Sequence, residues 1–368
     1  MCSLPVKSRR PRAGVHLFAP VAGMVCRKRR KHRRQMILAG VSLLLAAVSL
    51  KAEASTAYVR QHHPSYLTVA TPGGVIAQEE KTALWEPYRH QEAVVVSVDK
   101  WDGTLAAFHR QFEEIANPKK HVDFRRWSLL MAEGGLVRFA CAQGLLQIDM
   151  SSTTPGTQPV CGLPAMSVDI VLTWDSSRLE SEPGWAGFWD VARHPGKRGL
   201  RRDPRTTLEI ALLSDGVPPE DIYNVLGTPE GLDRAFRRLN QIRPYIVWWN
   251  TGTEAAAVMK SGAALMTSAP APEIVSLSSG GANPGRFALS PALHLRTKWE
   301  WAVPMSAASP IKAQALMSWL KTAPQTQTFM QKYQVSDERA RVLNVNDDFW
   351  AKHLTDISAR FNQWLARP

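Results

Sequence analysis

No apolar run in this sequence reaches the ~18 residues that a membrane-spanning helix needs, so nothing in its body reads as transmembrane. No GxSxG elbow, P-loop or HExxH pair occurs, and the Gly-Gly pairs at 73–74, 134–135 and 280–281 form no GxGxxG fingerprint. Without a nucleophile–base pair or metal-ligand spacing an enzyme is disfavoured, and neither catalytic residues nor a metal nor a cofactor is expected. An internal repeat is also missing. Acids fall short of bases, 32 Asp and Glu against 45 Lys and Arg, for a net charge of +13. Such a balance points to nucleic acid or a membrane surface only if the charge lies on the body of the protein. It does not: residues 1–54 hold twelve of the bases and one of the acids, which leaves 33 against 31 in the other 314 residues. A nucleic-acid partner therefore loses its support.

The N-terminal charge has a different meaning. Residues 27–34 read Arg-Lys-Arg-Arg-Lys-His-Arg-Arg, Met36 to Leu50 is a short apolar stretch, and Ala52-Glu53-Ala54 precedes Ser55. A basic segment, a short apolar segment and a small-x-small site in that order make a secretory signal peptide, expected to be cut after Ala54. The mature chain is thus expected in the periplasm. Arg33-Arg34 and Lys51 leave the general and the twin-arginine export routes both open, and Met24 is an alternative start. Cysteine is scarce: of four, Cys2 and Cys26 lie in the removed part. Cys141 and Cys161 remain, in an oxidising compartment, and a bridge between them is favoured over two separate buried thiols. It would close a loop of about 20 residues and contribute about 3 kcal/mol. His62-His63 reads as a solvated tail.

What is present is apolar and aromatic. Hydrophobic residues make up 45% and charged residues 21%, which suits a globular protein. All thirteen Trp follow residue 84. A body this long suggests two lobes. Strand-like runs stand at 66–70, 93–98, 127–131, 166–174, 245–249, 263–267 and 299–304. Helical spacing occupies 75–88, 105–115, 134–144, 206–213, 229–242, 254–260, 310–321 and 348–365. The Ser/Gly/Pro-rich 278–291 reads as a loop. This alternation predicts an α/β protein with mostly parallel sheets.

The most informative stretch runs from Trp185 to Ala269. It contains Phe188-Trp-Asp-Val191, Pro195-Gly-Lys-Arg-Gly-Leu200, Asp203-Pro-Arg205, Leu208-Glu-Ile-Ala-Leu-Leu213, Asp215-Gly-Val217 and Trp248-Trp249. This dense, colinear set resembles the spermidine/putrescine-binding family of solute-binding proteins of bacterial ABC importers. Weaker agreement covers Thr71–Gly74, Trp301-Ala-Val-Pro304 and the C-terminal Phe349-Trp350 and Trp364. The resemblance implies a type II periplasmic-binding-protein fold: two α/β lobes, a hinge, and a ligand in the cleft between them. It further implies a monomer that delivers a small solute, polyamine-like or related, to a membrane permease and its ATPase. The first lobe is expected to comprise 55–170 with about 300–333, and the second 171–299 with about 334–368. Residues 1–54 are the extension and signal.

Ligand sites in such sheets form at strand C-termini and helix N-termini. That places the candidate ligand residues at Thr71, Gly73, Gly74, Asp203, Trp249, Thr251, Ser268 and Trp299. A polyamine needs carboxylates for its ammonium groups and aromatic faces for its methylenes. Asp203 matches the family's acid, although a helix cap is the commoner role for such an Asp. Other gripping positions depart from the family: Thr206 stands for a second acid, Pro270 for a Trp, and Pro72 for a strand-end aromatic. The family's Arg after Pro270 is lost, and its aspartate falls near Lys298-Trp299. Trp248 and Trp249 alternate along a strand, so at most one faces the cleft. The pairs Lys197-Arg198 and Arg201-Arg202 read as solvated surface. Two rival readings remain: a diverged fold acting as a ligand-poor interaction or sensory partner, and an exported hydrolase, which would require a Ser/His/acid cluster in the cleft.

Overall fold

The computed structural model describes residues 65–116, 127–152, 158–280, 284–290, 292–332 and 340–367. The signal peptide, its cleavage site and His62-His63 lie outside the described residues. The β-branched run Ser65–Thr71 forms β1. A helical run follows, with α1 at Gly74–Glu80, a π turn at Lys81–Trp85 and α2 at Glu86–Glu92. β2 (Val94–Lys100), α3 (Leu105–Ala116), β3 (Leu129–Glu133) and α4 (Gly134–Ala142) complete the first series. β1 pairs in parallel with β2 on one side and β3 on the other. This is the α/β pattern that the strand–loop–helix alternation predicts.

The chain then crosses to the second lobe on the long β4 (Gly162–Asp175) and returns on β9 (Leu293–Ala302), antiparallel to it. Both expected lobe boundaries, 170/171 and 299/300, fall inside these two strands. Across the pair, Asp169 holds Arg296 at 2.7 Å and contacts His294 at 3.3 Å. Burial opposes a charge on Asp169, but His294 and Arg296 outweigh it and hold the carboxyl below its usual range.

The second lobe is built from α5 (Gly184–Trp189), β5 (Arg198–Arg201), α6 (Pro204–Ser214), α7 (Ile222–Leu226), α8 (Pro229–Ile242), β6 (Ile246–Trp249), α9 (Gly252–Lys260), β7 (Met266–Pro270) and α10 (Ala271–Ser279). β5 lies between β6 and β7, parallel to both. The loop expected over 278–291 contains a short strand, β8 (Phe287–Leu289), which pairs with β4. Among the described residues the strands form one ten-stranded sheet, with parallel flanks and antiparallel crossing strands at its centre.

After β9 come α11 (Pro310–Thr322), α12 (Pro324–Lys332), β10 (Arg341–Asn344) and α13 (Asp347–Ala366). The segment from 334 is expected with the second lobe, yet α13 touches both. Its start packs on α4, with Arg138 Nη1 at 2.5 Å from Asp348. Its end packs on the second lobe, where Trp248 meets Phe361 and Trp364 edge-on and Trp364 Nε1 donates to Asn240 at 2.8 Å. Phe236 and Leu239 are buried in the core, as the spacing of α8 requires.

Cys141 and Cys161 form a disulfide with Cα atoms 5.8 Å apart. It ties the end of α4 to the start of β4. No helix of the described residues is long and apolar enough to cross a membrane.

Candidate functional site

The C-terminal ends of β1, β2, β3, β5, β6 and β7 converge on one narrow cleft, whose cavity measures about 40 Å³. A parallel strand that feeds a helix exposes its last side chains and the next helix's first amides there. Three tryptophans line the space: Trp101, Trp249 and Trp299. Trp101 follows β2, donates Nε1–H to the Met131 carbonyl at 3.1 Å and leans on Trp127. Trp299 donates to Thr297 Oγ1 at 3.0 Å. Trp249 is buried at the end of β6, and its Nε1–H has no partner among the described residues.

Beneath the aromatics lies a buried ion network. Glu133 ends β3 in the first lobe. Its Oε1 accepts from Arg201 Nη1 at 2.5 Å, and its Oε2 lies 2.9 Å from Arg205 Nη1. Both arginines belong to the second lobe. Arg205 also chelates Asp203 through Nε and Nη2, each at 2.8 Å, and donates to the Gly103 carbonyl at 2.6 Å. Burial works against the charge on Arg205, but Asp203 and Glu133 outweigh it and keep the guanidinium firmly protonated. By the same balance Arg205 and Arg201 hold the Asp203 carboxyl low. The next residue, Thr206, adopts a left-handed φ of 67°. Strain of this kind persists only where the surroundings impose it, and here Arg205 is locked between two acids.

The eight residues expected to bind ligand divide. Gly73, Trp249, Thr251 and Trp299 line the cleft, and Gly74 borders its mouth. Thr251 also caps α9 by accepting the Glu254 amide. Asp203 does not reach the cleft wall: it caps α6 through the Arg205 amide at 2.9 Å, and its carboxyl is consumed by the Arg205 guanidinium. Thr71 and Ser268 are fully buried within their strands and are absent from the lining.

Two arginines read as surface are not. Arg198 is 0% exposed, because β5 is an inner strand and its guanidinium meets the carbonyls of Phe188, Gly196 and His194. Arg201 is 5% exposed and lines the cleft. Of the four, only Lys197 and Arg202 face water, because they flank β5, whose four residues are all buried.

Sequence reasoning also passed over Trp101, Asp102, Glu133 and Glu273. Glu133 carried a signal: it stands between a strand and the Gly134-Gly135 that opens a helix. Asp102 is taken up by Thr104, whose amide and hydroxyl it accepts at 2.9 and 2.7 Å. Glu273 stands on α10, and its Oε1 accepts the Val75 amide of the opposite lobe at 2.9 Å. Burial raises the Glu273 carboxyl above its ordinary range, a shift that the Val75 amide opposes.

A further buried acid lies behind the cleft loop. Glu80 of α1 is 0% exposed beside the Thr71 hydroxyl and the Trp301 indole, and no hydrogen bond of good geometry reaches either carboxyl oxygen. Burial pushes this carboxyl up to about 8, against the pull of those two groups. Among the described residues no group of His, Cys, Asp and Glu could hold a metal ion.

A family model described as bacterial extracellular solute-binding protein matches residues 127–352. A gamma-aminobutyric acid-binding protein of Pseudomonas aeruginosa is 29% identical over 336 residues, covering 82% of this chain and 91% of that protein. Among solved structures, the PBP AgtB from A. tumefaciens R10 in complex with agropinic acid superposes with a TM-score of 0.68 at 20% identity, covering 83% of this chain and 100% of that one. The Atu4243-GABA receptor gives a TM-score of 0.64 at 22% identity, covering 83% and 98%. A spermidine/putrescine substrate-binding protein of Streptococcus pneumoniae shares the fold at a TM-score of 0.54 and 12% identity, covering 82% and 99%.

Proposed function

As this chain belongs to the bacterial extracellular solute-binding proteins, we propose that its cleft captures a small zwitterionic solute, an ω-amino acid of the gamma-aminobutyric acid type. Its coarse role follows from the family: it is a binding component of an ABC importer, not an enzyme, and hands a small molecule to a membrane permease and its ATPase.

The observation that carries the finer reading is the make-up of the cleft wall. Arg201, one Nη of which is held by Glu133, stands in a lining that also holds acids and three tryptophans. A zwitterion offers a carboxylate to a guanidinium and an ammonium to a carboxylate, with a short methylene chain for the aromatic faces. A polyamine has no anion to offer Arg201. It would also need acids at both ends, and Asp203, the acid expected to serve it, is consumed by Arg205, while Glu133 in the lining is held by two guanidiniums. The relative named for gamma-aminobutyric acid is in keeping with this chemistry.

A thermal-shift and calorimetric series with gamma-aminobutyric acid, butyrate, putrescine and spermidine tests the reading. At 100 times Kd a ligand of the native state stabilises it by about 2.7 kcal/mol, and gamma-aminobutyric acid is expected to do so. Stabilisation by putrescine or spermidine in its place would restore the polyamine reading. A flat response to all four would remove both.

A further inference from the structure

Three acids line the cleft, Asp102, Glu133 and Glu273, and their partners differ. Glu133 faces two guanidiniums. Asp102 accepts an amide and a hydroxyl from Thr104. Glu273 accepts one amide, from Val75, and among the described residues no cation pairs with it. A carboxylate offers about four acceptor positions. One amide leaves most of them empty on a side chain that is 7% exposed. An acid so placed lacks a cationic partner, and a buried charge without one is costly.

The seat of this side chain is built from both lobes. Gly74 of the first lobe leaves so little room that a Cβ there would lie 1.9 Å from Glu273 Oε1. Gly252 of the second lobe flanks the stem, and its Cβ would lie 3.0 Å from Glu273 Cγ. The Glu273 carboxyl thus sits against Gly74 and accepts the Val75 amide of the other lobe, a contact made with the lobes together. Like Arg205 at the Gly103 carbonyl, Glu273 meets main chain of the opposite lobe, but as an acceptor.

We propose that Glu273 couples capture to closure: one carboxyl oxygen latches the first lobe through the Val75 amide, and the other receives the ligand's ammonium group. The ligand half rests on the zwitterion reading above, whereas the latch half does not. In this scheme an ammonium ion supplies the missing partner and holds Glu273 ionised. The ionised carboxylate makes the stronger, charge-assisted bond to Val75, so binding tightens the closed form.

The test compares wild-type protein with Glu273→Gln and Glu273→Ala, using gamma-aminobutyric acid as probe. Calorimetry reads affinity, and hydrogen–deuterium exchange reads protection of the Val75 amide. Glu273→Gln keeps an acceptor for Val75 but loses the charge, so Val75 should stay protected while affinity falls at least about tenfold. Glu273→Ala should lose both. Unchanged affinity in Glu273→Gln overturns the ammonium role while leaving the zwitterion reading standing. Unchanged Val75 protection in Glu273→Ala overturns the latch. If wild-type protein ignores the probe, the ammonium role falls together with the zwitterion reading, and exchange at Val75 still decides the latch.

Discussion

Arg201 and Glu133, at the ends of strands in opposite lobes, meet at 2.5 Å with both side chains almost fully buried. Arg205 reaches the other oxygen of the same carboxylate. One acid therefore separates two guanidiniums, and removing it would leave both without a shared counter-charge. Taking one partner from a buried ion pair costs on the order of 3–5 kcal/mol. Glu133→Gln is expected to lower the denaturant midpoint accordingly. Arg201→Lys, which keeps the charge but loses the planar fork, is expected to weaken gamma-aminobutyric acid binding about tenfold or more. An unchanged midpoint in the first variant, or unchanged affinity in the second, would contradict the roles given to this pair.

Stability should fall as the pH rises through neutrality. Glu80 titrates near its ordinary 4.5 when unfolded and at about 8 when folded. A raised folded value means that the native state binds the proton more tightly. The corresponding stability is complete below about 4.5 and is lost progressively up to about 8. Glu209 and Glu300, each raised to about 7 chiefly by burial, act in the same direction. Thermal melts should show a higher Tm at pH 5 than at pH 8.5, and Glu80→Gln should flatten that slope. A slope that survives the substitution intact would show that Glu80 is not its source.

The disulfide between Cys141 and Cys161 spans 20 residues. Cross-linking a loop of that size restricts the unfolded chain by about 3 kcal/mol. Reduction, or the double substitution to Ala, should therefore lower Tm by several degrees without altering ligand affinity, since neither cysteine lines the cleft. Melts with and without reductant check this. An identical Tm would show that the bridge contributes nothing.

Gly74 combines a φ of +63° with a site where any Cβ would meet Glu273 at 1.9 Å and Thr253 Oγ1 at 2.8 Å. Gly74→Ala should strain the loop and keep the lobes apart. Small-angle scattering with saturating gamma-aminobutyric acid should give a larger radius of gyration than for the wild type. A variant that compacts as fully as the wild type would show that this approach is dispensable.

Much of the fold was legible because it rests on local pattern. The spacing of Leu232, Phe236 and Leu239 marked α8, and its observed bounds coincide with the expected ones. The β-rich Tyr66–Ala70 run marked β1. The site was less legible. Glu273 was missed together with its helix, since no helix was expected between the 263–267 strand and the 278–291 loop, a stretch that holds Pro270 and Pro272. In fact they occupy the start of α10, where a proline costs no hydrogen bond. Arg198 and Arg201 looked like surface charge because neighbouring Lys and Arg usually are. Their burial depends on acids and carbonyls that come from elsewhere in the chain.

What the sequence by itself determined is therefore the alternation of strands and helices, the family likeness of 185–269, and the cleft's position at the strand ends. The alternation follows from periodicity and short-range spacing, the likeness rests on the motif residues of that stretch, and the cleft is what the likeness implies. Only the tertiary structure decided which charges face one another. Glu133 and Arg201 are 68 residues apart, and Val75 and Glu273 are 198 apart. No local pattern encodes either meeting. The crossing of β4 and β9 brings the two lobes together, and that closure makes Glu133 a partner of Arg201 and Arg205 and leaves Glu273 at the cleft.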